Sequence, residues 1–269
     1  MDDRRLSQLV AAVIVLVVLG VMWDVSRRTI RRSRQRGPEA TVESVVVVMD
    51  SATRDAPPPG AGGQTQGLQS PPDGPSYMES VARSETRRQI RASSGITYLN
   101  EILAASGDSM LHRWDNRAHR PVRVYFASTR ALNYRPAFQE AVRAALRDWE
   151  SVVPVSFEPV TDSASAEVRF FWRVQFEIDR TGQTDLEWDH NGHIMSGMVT
   201  LSTFDAKGQP MGPEEIRLVA LHEIGHVVGL DHSPDATDVM YPVATVRQLS
   251  LRDVETARLL YRLAPGSVR

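Results

Sequence analysis

From Val122 onward, apolar residues recur with the spacings of regular structure. Val122, Val124 and Phe126 alternate with Arg123 and Tyr125, the two-residue period of a strand. Phe138, Ala141, Val142, Ala145, Leu146 and Trp149 recur at i, i+3, i+4, i+7, i+8 and i+11. That is the stripe of an amphipathic helix, and Pro136 stands where a first turn tolerates it. Val168 to Phe176 reads as a second strand and Met198 to Ser202 as a third, after the polar turn Asp189-His190-Asn191-Gly192. A helix opened by Pro213 runs through Ile216, Val219, Ala220, Ile224 and Val227 and is apolar on nearly every side, which predicts a central, buried position. Gly229 is placed to stop it. A last amphipathic helix, about Leu249 to Leu263, carries Val254, Ala257, Leu260 and Tyr261.

Upstream the pattern weakens. Between Tyr77 and about Ala105, the apolar points Val81, Ile90, Leu99, Ile102 and Leu103 mark a loosely helical segment interrupted by Ser93-Ser94-Gly95. Residues 76–109 are therefore expected to pack on the following domain or to form a helical stalk. Residues 51–75 are dominated by Pro, Gly, Ser and Gln, a composition that buries too little apolar surface to order itself, so 37–75 reads as a flexible linker. Leu9 to Trp23 is an unbroken apolar run that reaches, with its flanks, the roughly 20 residues of a spanning helix. No A-x-A-like arrangement follows it, which favours an uncleaved anchor over a signal peptide. The chain thus divides into a membrane anchor with a basic flank (1–36), the linker (37–75), the helical segment (76–109) and a compact domain (110–265).

Composition narrows the chemistry. Cysteine is absent, which removes disulfides, thiolate metal sites and cysteine nucleophiles together, so any metal is held by nitrogen and oxygen. A net charge of −2 makes no general case for nucleic acid as a partner. The basic excess is confined to residues 1–36, with eight arginines against three aspartates, where a topology or lipid-headgroup role is the simpler reading.

Residues 222–232 read His-Glu-Ile-Gly-His-Val-Val-Gly-Leu-Asp-His. On a helix, residues four apart lie one above the other, so His222 and His226 can present imidazoles to one point. Glu223 is turned about 100° from His222, near enough to reach a water on the metal but not aligned to bind it. Gly229 supplies the freedom at positive φ that lets the chain leave the helix and turn back, which makes His232 the third ligand. Three neutral nitrogens with one open position describe a catalytic zinc centre, whereas a closed structural site takes four protein ligands. Zinc lowers the pKa of a bound water to about 7, so Glu223 as general base can take its proton and pass it to a departing amine. The competing reading is a catalytically silent, zinc-containing domain that binds peptides or partners, and the intact Glu223 speaks against it.

The same stretch resembles the metzincin zinc peptidases, and the matrixin branch in particular, through Ser233 after the third histidine and Met240-Tyr241-Pro242 downstream. The resemblance implies an α+β metzincin-like domain: a twisted, mostly parallel sheet with an antiparallel edge strand, a long active-site helix and a C-terminal helix, here preceded by a membrane helix and a disordered linker. It implies a metalloendopeptidase acting on protein or peptide substrates, with Met240 of a Met-turn as an apolar floor beneath the zinc. Tyr241, Pro242, Val243 and Ala244 would line the substrate pocket, and Met198 to Ser202 would be the edge strand to which an extended substrate adds. One catalytic zinc ion is expected. A structural zinc or calcium is not supported: no further histidine spacing surrounds His190 and His193, and Asp179, Asp185 and Asp189 are scattered. The lipid bilayer is the other expected partner, through the N-terminal helix. Secreted-type peptidases argue for an extracytoplasmic catalytic domain, while the six arginines from Arg27 to Arg36 outnumber Arg4 and Arg5 before the run and favour the opposite side.

Overall fold

The structure is a computed structural model that describes residues 75–106, 109–115, 117, 120–177, 180–243 and 245–269. The run Leu9–Trp23, Ala244 and all but the last residue of the expected linker lie outside these. No helix among the described residues is long and apolar enough to cross a membrane.

The polypeptide enters through two helices, α1 (Tyr77–Ala92) and α2 (Leu99–Ala105). Ser76 and Glu79 cap α1 reciprocally, satisfying two of its first free N–H groups, and Gly95 at φ +86° lies in the break between the helices. The Arg83 and Arg87 guanidiniums donate to the backbone carbonyls of Arg269 and Val268. Tyr98, fully buried, donates its hydroxyl to Asp253 Oδ1 at 2.9 Å and its N–H to Thr256 Oγ1 at 3.1 Å.

After the short strand β1 (Met110–Leu111) come β2 (Val122–Phe126), α3 (Pro136–Glu150), β3 (Phe157–Val160), β4 (Val168–Arg173), β5 (Gly182–Trp188) and β6 (Ile194–Ser202). Helix α4 (Pro213–Val227), helix α5 (Leu251–Arg262) and the short strand β7 (Gly266–Ser267) complete the chain. β7 pairs antiparallel with β1. The five-stranded sheet has the order β3-β2-β4-β6-β5, with β5 antiparallel to β6 and every other pairing parallel.

The strand and helix periods expected from the sequence reappear as burial. All six apolar points of α3 are buried, and Val168, Phe170 and Trp172 of β4 are buried in alternation with half-buried Arg169, Phe171 and Arg173. Helices α3 and α4 pack on each other, and α4 packs also on β5 and β6. Trp149 fixes this contact: it is fully buried, and its indole N–H donates to Leu221 O at 2.8 Å. A buried Trp contributes as much apolar area as any side chain, and its bonded N–H removes the polar cost of placing it there.

Two expectations need correction. Strand β6 begins at Ile194 rather than Met198, and it is not the edge of the sheet, because β4 pairs with one side of it and β5 with the other. The edge strand beside α4 is β5. Its sequence Gly-Gln-Thr-Asp-Leu-Glu-Trp gives no apolar alternation, since a strand paired on one side and wet over much of its surface has no need of one. The last helix is also shorter at its start than expected: Ser250 is its N-cap, accepting from Asp253 N at 2.9 Å while Asp253 Oδ2 accepts from Ser250 N at 2.9 Å.

Candidate metal centre

Helix α4 positions the first half of the site. Its first turn starts with Pro213 after Gly212, whose N–H donates to Glu215 Oε2 at 2.9 Å. It ends at Val227, and Gly229 follows at φ +102°. A Cβ at Gly229 would lie 2.1 Å from the backbone oxygen of His112, so this turn tolerates no side chain on grounds of both conformation and space. Leu230 N then donates to Gly225 O at 3.0 Å, and the chain returns His232 toward the helix.

One ligand atom from each of His222, His226 and His232 lies within 4.8 Å of the others, and the ring centroids are 4.9 to 5.3 Å apart. The backbone fixes two of the rings. His222 Nδ1 lies 2.7 Å from Val239 O and His226 Nδ1 2.9 Å from Leu230 O. A carbonyl only accepts, so both Nδ1 atoms carry the proton and both Nε2 atoms keep a free lone pair, which is how the carbonyl behind a metal-ligating histidine sets its tautomer. Burial, with repulsion from His226 adding to it, pushes the His222 pKa down to about 4; burial and His232 bring His226 to about 4 as well. His232, the most exposed of the three, is also lowered, by burial and then by His222. Neutral imidazoles at pH 7 with lone pairs aimed at one region, and no thiolate among them, fit a zinc ion.

Glu223 is buried, and burial pushes its carboxyl up to about 7; the Thr184 hydroxyl hydrogen bond acts in the opposite direction, as would a dication nearby. Thr184 Oγ1 on β5 lies 2.6 Å from Glu223 Oε2 and 3.1 Å from Glu223 O. Gly182 leaves the space the carboxylate occupies, since a Cβ there would lie 2.3 Å from Glu223 Oε1. Neither residue carries a sequence signal: both act through strand pairing that places β5 against α4, which no local spacing encodes.

Met240 is fully buried and lies under α4 at Gly225, where a Cβ would come 2.1 Å from its sulfur. Its carbonyl accepts from Ser233 N at 2.9 Å, so the residue after the third histidine is bonded to the turn expected beneath the metal. Ser233 Oγ also donates to the buried Asp238 carboxylate, which takes Ser250 Oγ at 2.6 Å and Arg252 Nη1 at 3.1 Å. Tyr241 is half-buried, and Pro242 and Val243 are exposed. At the expected polar turn, the Asp189 carboxylate accepts from the N–H groups of Asn191 and His193, both at 2.9 Å, a side-chain cap of a turn.

The matrixin family profile, Peptidase M10, matches residues 113–262. Over 137 residues, 44% of this chain and 36% of the relative, the sequence is 32% identical to metalloendoproteinase 1-MMP of Arabidopsis thaliana. It is 30% identical to stromelysin-2 of Rattus norvegicus over 52% of this chain and 33% of that protein. It is 27% identical to metalloendoproteinase 1 of Glycine max over 48% and 47%. The matched stretch thus spans a third to a half of those relatives. With more than half of its length matched, and with the His-Glu-x-x-His helix, the returning histidine and the buried methionine inside the matched range, the chain belongs to the matrixin family.

Proposed function

We propose that this protein is a zinc-dependent endopeptidase that hydrolyses peptide bonds in proteins or peptides. The observation that carries the reading is the convergence of three neutral imidazoles beside a buried glutamate held by the sheet's edge strand. His222, His226 and His232 would hold the ion. Zinc, when bound, acidifies a water and polarises a carbonyl. Glu223 is the group to take that water's proton and return it to the departing amine, and a carboxyl raised by burial toward neutrality is matched to both transfers. Thr184 and Gly182 fix where its oxygens lie. Among the described residues no strand pairs with the outer edge of β5, where an extended peptide could add as a further strand, with main-chain hydrogen bonds supplying affinity. Met240 forms the floor, and Tyr241, Pro242, Val243 and Ala244 stand as the proposed wall of the substrate pocket.

The apolar run Leu9–Trp23 supports a membrane tether ahead of this domain; the resemblance to secreted-type peptidases favours an extracytoplasmic catalytic domain, against the arginine balance around the run. Protease accessibility of a C-terminal tag in intact cells tests the side: digestion from outside is expected, and protection reverses the orientation.

The activity is tested with full-length protein in detergent, loaded with zinc, on a peptide library. Glu223→Gln is expected to lower kcat/KM by about 10²- to 10⁴-fold, the usual share of a general base, with zinc retained. Cleavage by this variant at the wild-type rate, or no cleavage by the wild type, refutes the assignment.

A further inference from the structure

We propose that Tyr98, which precedes the family-matched range, is a positioning residue for the metal centre. Three hydrogen bonds link Tyr98, through Asp253 and Val239, to the first histidine. Tyr98 donates its hydroxyl to Asp253 Oδ1 at 2.9 Å. Asp253 Oδ2 accepts from Val239 N at 2.9 Å. Val239 O in turn accepts from His222 Nδ1 at 2.7 Å. Tyr98, Asp253 and Val239 are each fully buried, and His222 is buried.

The physical weight falls on Asp253. A carboxyl group in the interior must have its oxygens satisfied. Oδ2 is held by Val239 N and Ser250 N, and Oδ1 by the Tyr98 hydroxyl. Burial, reinforced by the neighbouring Asp253 charge, raises the phenol well above its ordinary pKa, so Tyr98 is a proton donor at any working pH. A second contact acts from the ring face. The Arg252 guanidinium lies 5.5 Å from the Tyr98 ring centroid and also bonds Asp238, the carboxylate that receives Ser233 Oγ beside His232. The phenol therefore reaches both halves of the site: the turn behind His222 and the loop that carries His232. The partner bonded to a ligand ring tunes metal affinity by fixing that ring; here the partner is the Val239 carbonyl, and the bonds that hold it begin in the segment between α1 and α2.

This inference rests on His222 being a metal ligand and does not need peptidase activity. The test is zinc affinity of the full chain, measured by competition with a chromophoric chelator. Tyr98→Phe keeps the ring and removes only the donor; zinc binding about fivefold to tenfold weaker is expected, at or below the bottom of the range for groups bonded directly to a ligand ring. Ile90→Val, buried in α1, trims the same helical pair away from Asp253 and is expected to leave affinity within about twofold while lowering stability. Wild-type affinity in Tyr98→Phe overturns the proposal, and so does an equal loss in both variants, which would make the effect one of general stability. His222→Ala holding zinc as tightly as the wild type overturns the metal-centre reading itself, a separate failure.

Discussion

Gly225 sits on α4 between Glu223 and His226, and its missing side chain is what lets Met240 lie against the helix. In Gly225→Ala the new Cβ would lie 2.1 Å from Met240 Sδ, 3.0 Å from Met240 Cε and 3.1 Å from Trp149 Cζ2. Trp149 cannot yield, because it is fully buried and tied to Leu221 O, so Met240 must move. Overpacking of a filled core costs about 1–3 kcal/mol, and alanine recovers about 0.5–1 kcal/mol over glycine in a helix. The net loss is up to about 2.5 kcal/mol and centred near 1 kcal/mol, the latter equivalent to about 2–4 °C in Tm for a body of this size. Urea denaturation of zinc-saturated protein measures it. The cause is isolated by repeating Gly225→Ala in a Met240→Ala background, where the sulfur is gone and only the 3.1 Å approach to Trp149 Cζ2 remains, so the cost is expected to shrink by about 1 kcal/mol or more. Stabilisation in the wild-type background, or the same cost in both, refutes the steric account of this floor.

Thr184→Val removes the hydroxyl that holds Glu223 while keeping the strand's shape; kcat is expected to fall about 10- to 100-fold, the equivalent of one hydrogen bond to a charged group. KM and zinc content should hold and Thr184→Ser should restore most of the rate, so a normal kcat in the valine variant removes Thr184 from the site. Glu167→Ala removes a carboxylate from the buried Arg117 guanidinium, leaving it its ion pair with exposed Asp115 and its place over the Trp114 ring, and is expected to cost about 3 kcal/mol in denaturant; a loss under about 1 kcal/mol would show the charge is not held there. Burial alone would raise the Glu167 pKa, but the Arg123 N–H and the Arg117 and Arg120 guanidiniums outweigh it and hold it below the ordinary value. Its contribution is therefore complete above the unfolded pKa of about 4.3 and is lost as pH falls through the lower folded value. Glu167→Gln should flatten the fall in urea midpoint below about pH 4.5, and an unchanged acid slope contradicts this.

Where burial is one-sided, the sequence carried the structure. The stripe from Phe138 to Trp149 and the apolar run through α4 are legible because each must cover a core, and Gly229 because its φ excludes other residues. The proposed metal ligands share that legibility, since the pairing of His222 and His226 follows from helix geometry alone. What stayed hidden depends on pairings distant in sequence. β3, at the other edge of the sheet, leaves Glu158 and Pro159 exposed and shows no period, and β5 is likewise too polar to read. Mistaking Met198–Ser202 for the edge follows directly from missing β5. Thr184, Gly182 and Tyr98 have no motif of their own, because each acts only across a tertiary contact with Glu223 or Asp253.

His232 is the proposed ligand that depends least on helix geometry and most on the fold, so it is the sharpest point at which to test the convergence of three imidazoles on one cation. Tightly bound zinc per chain, measured after dialysis, is expected to be about one for the wild type and for Glu223→Gln, and close to zero for His232→Ala. His232→Ala retaining the full wild-type complement of zinc would contradict the three-histidine centre directly.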